Sequence, residues 1–148
     1  MADSKGRIMA QRDTQEQIEH DNVITALKKT LFKYPNDKYP QLKTFANHPI
    51  KTHYITNHQG GQFYPDLVVL DVRNERVVIT VEVETISSIN EIEAAQWNGF
   101  ASICENFYLF FPRGFANKVK KFCQKFSSIH CYEYWKEDDR YRVEHITF

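Results

Sequence analysis

Asp66, Glu82 and Glu84 are the residues of this chain whose types and spacing point to chemistry. They lie in the stretch FYPDLVVLDVRNERVVITVEVET, residues 63–85. Leu67 to Leu70 is a continuous apolar run, as expected of a strand covered on both faces. Arg73 to Arg76 is turn-like, and Val77 to Glu84 is a second β-branched run, so the two read as a hairpin. Side chains alternate along a strand, which sets Val77, Ile79, Val81 and Val83 on one face and Val78, Thr80, Glu82 and Glu84 on the other. A loop with an odd number of residues, centred on Asn74, puts Asp66 opposite Glu82, and the three acids then converge. An even loop sends Asp66 to the other face. Crowded like charges repel, and near a core one of them must take up a proton or find a cation. A hard divalent ion is one such cation. On an exposed face the same acids are merely solvated.

Composition bounds the alternatives. The chain has 148 residues, of which 42% are hydrophobic and 14% aromatic, enough for one domain with a real core. No apolar run approaches the roughly 20 residues of a membrane span. Residues 1–12 are polar, carry no secretory signal and read as a disordered tail before a single domain over 13–148. Cys104, Cys123 and Cys131 are odd in number, with no zinc-type pairing, so they read as reduced thiols of a cytoplasmic protein. Net charge is zero but uneven. Acids gather between Asp71 and Glu93, and bases between Arg113 and Lys125 and between Lys28 and Lys43. Basic flanks around an acidic centre could meet phosphates; lysines on the outer face of a helix also serve solubility alone.

The remaining elements must position those acids. A first helix is expected over about Thr14 to Lys33, capped by Asp13 with Glu16, its stripe formed by His20, Ile24, Leu27, Leu31 and Tyr34. Either Glu19 or His20 could lean from it toward the hairpin. Tyr34 to Pro49, with three prolines, reads as an irregular surface segment. Lys51 to Asn57 reads as a strand, and 58–62 as the turn into the central pair. Ser88 and Glu91 suggest the capped start of a helix to about Glu105, with Ile92, Gln96, Phe100 and Ile103 in its stripe. A buried Gln96 needs partners for its amide and could find them in the backbone, the carboxylates or a ligand. Strand Phe107 to Phe111, a helix carrying Phe115, Val119, Phe122 and Phe126, strand Ile129 to Trp135 and an edge strand Tyr141 to Phe148 complete the chain. The expected fold is α/β, a mixed sheet flanked by helices in the order α-β-β-β-α-β-α-β-β. Tyr132, Tyr134, Trp135 and Tyr141 suit core and edge packing, a homodimer surface or a platform for bases.

This arrangement resembles the PD-(D/E)xK nuclease superfamily, the restriction-endonuclease-like group, in its RecB-type and Holliday-junction-resolvase-like branch. The matching residues are Pro65-Asp66, Glu82-Val83-Glu84, and Gln96 to Phe100, which is similar to the branch's glutamine-x-x-x-tyrosine signature with Phe in place of Tyr. Glu19 stands where many members carry an acid on the first helix. The resemblance implies a magnesium- or manganese-dependent endo- or exonuclease acting on DNA, less so RNA. Asp66 and Glu82 would hold the ion, with Glu19 and the Val83 carbonyl as further ligands and Gln96 placing substrate or water; Glu84 is the further metal ligand that this chain's own acids suggest. Arg113, Lys118 and Lys121 would meet nucleic acid. One departure is large: the family's lysine is replaced by Glu84. Three readings follow: an extra ligand or base, a lysine supplied by another element, or a catalytically inactive module that binds nucleic acid or a partner protein.

Overall fold

The computed structural model describes residues 13–57, 59–123 and 128–148; the tail expected over 1–12 lies outside them, as do His58 and Phe126. Helix α1 (Thr14–Lys29) opens on Asp13, whose carboxylate accepts from the Glu16 N–H at 2.8 Å, a side-chain cap for one of the helix's orphan donors. It buries His20, Val23, Ile24 and Leu27. It stops a turn before the expected Lys33. The Thr30 hydroxyl bonds back to the Ala26 carbonyl at 2.7 Å, and the chain folds over so that Phe32, not Leu31, enters the core.

The strands that follow are β1 (Leu42–Ala46), β2 (Ile55–Thr56), β3 (Gln62–Phe63), β4 (Leu67–Asp71) and β5 (Arg76–Val83). A 3-10 turn (Ile86–Ser88) leads to α2 (Glu91–Ile103), then β6 (Phe107–Pro112), α3 (Ala116–Phe122), β7 (Ile129–Glu137) and β8 (Arg140–Ile146). Among the described residues they build one six-stranded mixed sheet, β1-β4-β5-β6-β7-β8, and a separate two-stranded ribbon, β2-β3. Neighbours run antiparallel except β5-β6 and β6-β7, the two pairs joined through helices, as parallel neighbours require. The protein is therefore of mixed α/β class.

The first strand of the sheet is a correction. It comes from Leu42–Ala46, within the segment expected to be irregular, while the expected strand 51–57 supplies only the ribbon. Pro40 and Pro49 lie outside the five paired residues, so they bound the strand rather than break it. Thr44 is buried and its hydroxyl bonds the Phe32 carbonyl at 2.6 Å, tying the edge strand to the end of α1.

The sheet has two apolar faces. One packs Val81, Val83, Leu67 and Val69 against α1, and the other packs Leu109, Phe107 and Phe111 against α2 and α3. The faces of β5 are not a simple alternation. Val69 pairs with Ile79, but Leu70 pairs with Val77, so Val78 is an extra residue, a bulge. Val77 consequently packs with the α2 side and Val78 with the α1 side, the reverse of the uniform pattern. The Asn106 side chain donates to the bulged Val78 carbonyl at 3.1 Å, and its own carbonyl accepts from Thr80 N–H at 2.9 Å. Asn106→Ala should lower the unfolding free energy by about 1–2 kcal/mol, read from urea midpoints; an unchanged midpoint would mean that the bulge holds itself.

Candidate active site

The bulge decides where Asp66 points. Asp71 pairs with Arg76, leaving a four-residue turn, Val72 to Glu75. An even turn alone would set Asp66 across from Val81, on the apolar face. The extra Val78 restores the odd count: Leu67 pairs with Val81, and one further step brings Asp66 across from Glu82. Asp66 Oδ2 also accepts from the Val83 N–H at 2.8 Å, and the charge of its carboxylate bears on the Glu82 carboxyl.

Glu84, two residues on, points the same way and is almost fully buried. Its Oε2 accepts from the indole N–H of Trp97 at 2.6 Å, and its Oε1 from the Ser88 hydroxyl at 2.7 Å. Both partners follow from local folding. Ser88 closes the 3-10 turn, where its oxygen also accepts from Thr85 N–H at 2.9 Å. Trp97 is the fully buried anchor of α2, together with Ala94 and Phe100. The helix is capped by Asn90, whose side chain accepts from the Glu93 N–H at 3.0 Å, rather than by Ser88. The helix is turned relative to the expected stripe, so Ile92 is exposed. Glu93 and Gln96, one turn apart, face the hairpin instead.

Together Asp66, Glu82, Glu84, Glu93 and Gln96 line a pocket of about 230 Å³, shared with His20, Lys51 and the rings of Phe63, Tyr64 and Phe100. Burial pushes the Glu82 carboxyl well above its ordinary range, and the charges of Asp66 and Glu84 add to the effect. Burial, then the charge of Glu93, raises Glu84 to about 8, against the lowering effect of its Trp97 and Ser88 hydrogen bonds. The pocket thus holds more carboxyl groups than it can keep ionised without a cation.

Two further elements close it. From α1, His20 Nε2 stands 3.2 Å from Asp66 Oδ2, while its Nδ1 meets Asp21 Oδ1 at 3.0 Å. Lys51 arrives on the loop after β1. The buried Asn47 amide knots that loop: its Oδ1 accepts from Thr52 and His53 N–H, and its Nδ2 donates to the carbonyls of His53 and Pro65, all within 2.6–2.9 Å. The Asn47 N–H donates to the Asp66 carbonyl at 3.1 Å. One buried side chain therefore fixes both the start of β4 and the loop carrying Lys51, the one lysine lining the pocket among the described residues.

Other expected residues stand elsewhere. Glu19 is not among the lining residues; its carboxylate accepts from the Tyr134 hydroxyl at 3.1 Å, and that hydroxyl also lies 2.8 Å from the Glu84 carbonyl oxygen. With α1 in this rotation the pocket position falls to His20. Arg113, Lys118 and Lys121 are exposed and outside the pocket, with the Arg113 guanidinium 4.0 Å over the Trp135 ring. Tyr132 stacks on Phe110 with ring centres 5.0 Å apart, and Tyr134 is buried.

Sequence reasoning missed Glu93, Lys51 and Trp97. Glu93 precedes Gln96 by three residues, a spacing that shares a helix face, but centring the stripe on Ile92 hid it. Lys51 carries no local signal, since only the Asn47 knot brings it in. Among the described residues no three His, Cys, Asp or Glu side chains are already arranged as a metal cage, and no helix is long and apolar enough to cross a membrane. Comparison of the chain with protein-family models, with curated proteins and with solved structures returns no match, so the chemistry of this pocket is what bears on function.

Proposed function

We propose that the chain is a metal-dependent nuclease-like domain hydrolysing phosphodiester bonds in DNA, or RNA, on a restriction-endonuclease-like sheet. The observation that supports it is the convergence of Asp66, Glu82, Glu84 and Glu93 with Gln96 and Lys51 in one partly open pocket. The donor set fits magnesium or manganese: Asp66, Glu82 and Glu93 offer hard oxygens, and the crowding of the acids leaves a deficit of positive charge. Asp66 and Glu82 would hold the ion. Bound there, it would supply an acidified water and neutralise charge on the phosphate.

The chain's own residues divide the remaining work. Glu84 has both oxygens engaged by Trp97 and Ser88, which makes it part of the pocket wall rather than a substitute for lysine. Lys51 takes the lysine's role, its ammonium steadying the phosphate and the attacking oxygen. Gln96 offers a carboxamide to water or substrate, and His20 steadies Asp66. Lys51→Met is expected to slow cleavage about 100-fold, the usual scale for one electrostatic stabiliser, with manganese affinity little changed. Equal rates for the Lys51→Met and parent proteins would remove Lys51 from the reaction.

The competing reading is a catalytically inactive module that binds nucleic acid or a protein. It is favoured by the capture of Glu84 and by the lack of a preformed cage among the described residues. Manganese titration by calorimetry, alongside cleavage assays on plasmid and single strands, separates the two. The nuclease reading requires metal-dependent cleavage and a binding heat that Asp66→Ala and Glu82→Ala abolish. A parent chain that gives no more heat than these two alanine proteins, and cleaves nothing, leaves the inactive module.

A further inference from the structure

A second cavity, about 300 Å³, adjoins the acidic pocket and has a different character. Phe63, Gln96 and Phe100 line both. Past them the wall is Ala95, Gly99 and Ile103 of α2, with Asn57 at the end of the ribbon strand β2, so apart from Asn57 and Gln96 the lining is apolar. Phe63 and Phe100 meet edge to face, with centroids 5.9 Å apart and planes at 80°. Gly99 leaves the side of the slot open, because a Cβ built there meets nothing within 4 Å. Gln96 is half-buried between the two cavities, and among the described residues nothing hydrogen-bonds its carboxamide. A ligand that reaches from one cavity to the other must therefore be anionic or metal-binding at one end and flat and apolar-faced at the other, with polar edges near Gln96.

We infer that this slot is a subsite for one unpaired nucleobase, next to the phosphodiester held at the acidic pocket. The inference rests on the nuclease reading and deepens it by naming the substrate class as single-stranded or locally unpaired nucleic acid. A base in a duplex is stacked on both faces and cannot enter a side slot without leaving the stack. An unpaired base can lie against the half-buried Phe63 ring, which the buried Phe100 ring backs edge to face, as bases do on aromatic platforms. Its edge then meets the Gln96 carboxamide, which both donates and accepts and so tolerates more than one base. The cavity is at the small end of ligand pockets, which suits a single ring system.

Gly99→Leu tests this, since it fills the slot from a side that touches neither the hairpin acids nor Lys51. The measurement is fluorescence anisotropy with a labelled oligodeoxyadenylate, the same strand with its bases removed, and its duplex, with calcium in place of magnesium. Manganese calorimetry and thermal melting of both proteins accompany it. The parent chain should bind the intact single strand about tenfold more tightly than either the abasic strand or the duplex, the scale of one base stacked on aromatic rings. Gly99→Leu should lose that preference while keeping its manganese heat, and should melt no lower, because leucine is the better helix former. Equal binding of intact and abasic strands by the parent overturns the slot. So does a preference that survives Gly99→Leu, or saturation by N-acetyl-tryptophanamide without any preference for bases. The two readings fail separately: metal-dependent cleavage without base preference removes the slot alone, whereas base preference lost in Gly99→Leu without metal heat or cleavage removes the hydrolytic role and leaves the slot.

Discussion

Asp66→Asn is expected to lose metal-dependent cleavage by on the order of a thousandfold while remaining at least as stable as the parent chain. The two halves of this result come from different atoms. The negative charge is what a divalent ion would need, and asparagine removes it. The carbonyl of asparagine can still accept from the Val83 N–H, the bond that Asp66 Oδ2 makes at 2.8 Å. Its amide N–H groups then face Glu82, replacing a repulsion with a donor and easing the pressure that raises the Glu82 carboxyl. Asp66→Ala should also lose cleavage but melt lower, because the Val83 N–H loses its acceptor, at a cost of about 1–3 kcal/mol. Cleavage rates with and without EDTA, and melting curves of all three proteins, check both halves. An Asp66→Asn protein that cleaves like the parent removes Asp66 from the chemistry.

The second large effect is on stability against pH, and it belongs to Glu84. Its carboxyl has an ordinary value of 4.5 and is raised to about 8 in the fold. Between these values the unfolded chain has released the proton while the folded chain keeps it. The folded state binds more protons, so its stability is greatest below 4.5 and falls as pH rises toward 8. One proton sets a slope of at most about 1.4 kcal/mol per pH unit, to which Glu82 adds in the same direction. The neutral acid is well accommodated: it can donate to Ser88 Oγ, whose own proton then turns to the Thr85 carbonyl 3.1 Å away. Glutamine can make the same contacts, accepting from Trp97 and donating to Ser88. Glu84→Gln should therefore flatten the decline and melt higher than the parent above pH 8, by roughly 5 °C or more for a domain of this size. Parallel curves for the two proteins would show that Glu84 is not the group holding the proton. On the nuclease reading, magnesium added at pH 8 stabilises the parent by mass action and leaves Asp66→Asn unmoved.

The hairpin was legible because alternation is a local property. Glu82 and Glu84 had to share a face once residues 79–84 were a regular strand. Asp66 was legible only conditionally. The turn is even, which alone would have sent it to the wrong side, and the bulge at Val78 reverses that outcome. Nothing in Val-Val-Ile announces a bulge; Asn106, far along the chain, holds its carbonyl. The rotation of α2 was illegible for a related reason. Ile92 and Trp97 are both apolar, and the choice of which to bury falls to Glu84, whose carboxyl takes the Trp97 N–H at 2.6 Å.

What the amino-acid order settled by itself is local: the class of each long element, the cap at Asp13 and the hairpin's β-branched arms, and the pairing of two acids on one strand face. Periodicity and capping act over a few residues and can be read without coordinates. What only the tertiary structure decided is which groups stand in the pocket beside those acids. His20 takes the place expected for Glu19 because of how α1 rotates onto Val81 and Val83. Lys51 enters because the Asn47 amide binds its loop to Pro65, and Glu93 enters because Trp97 turns α2 inward. Each depends on contacts between segments remote in sequence, and neither period nor propensity encodes such contacts.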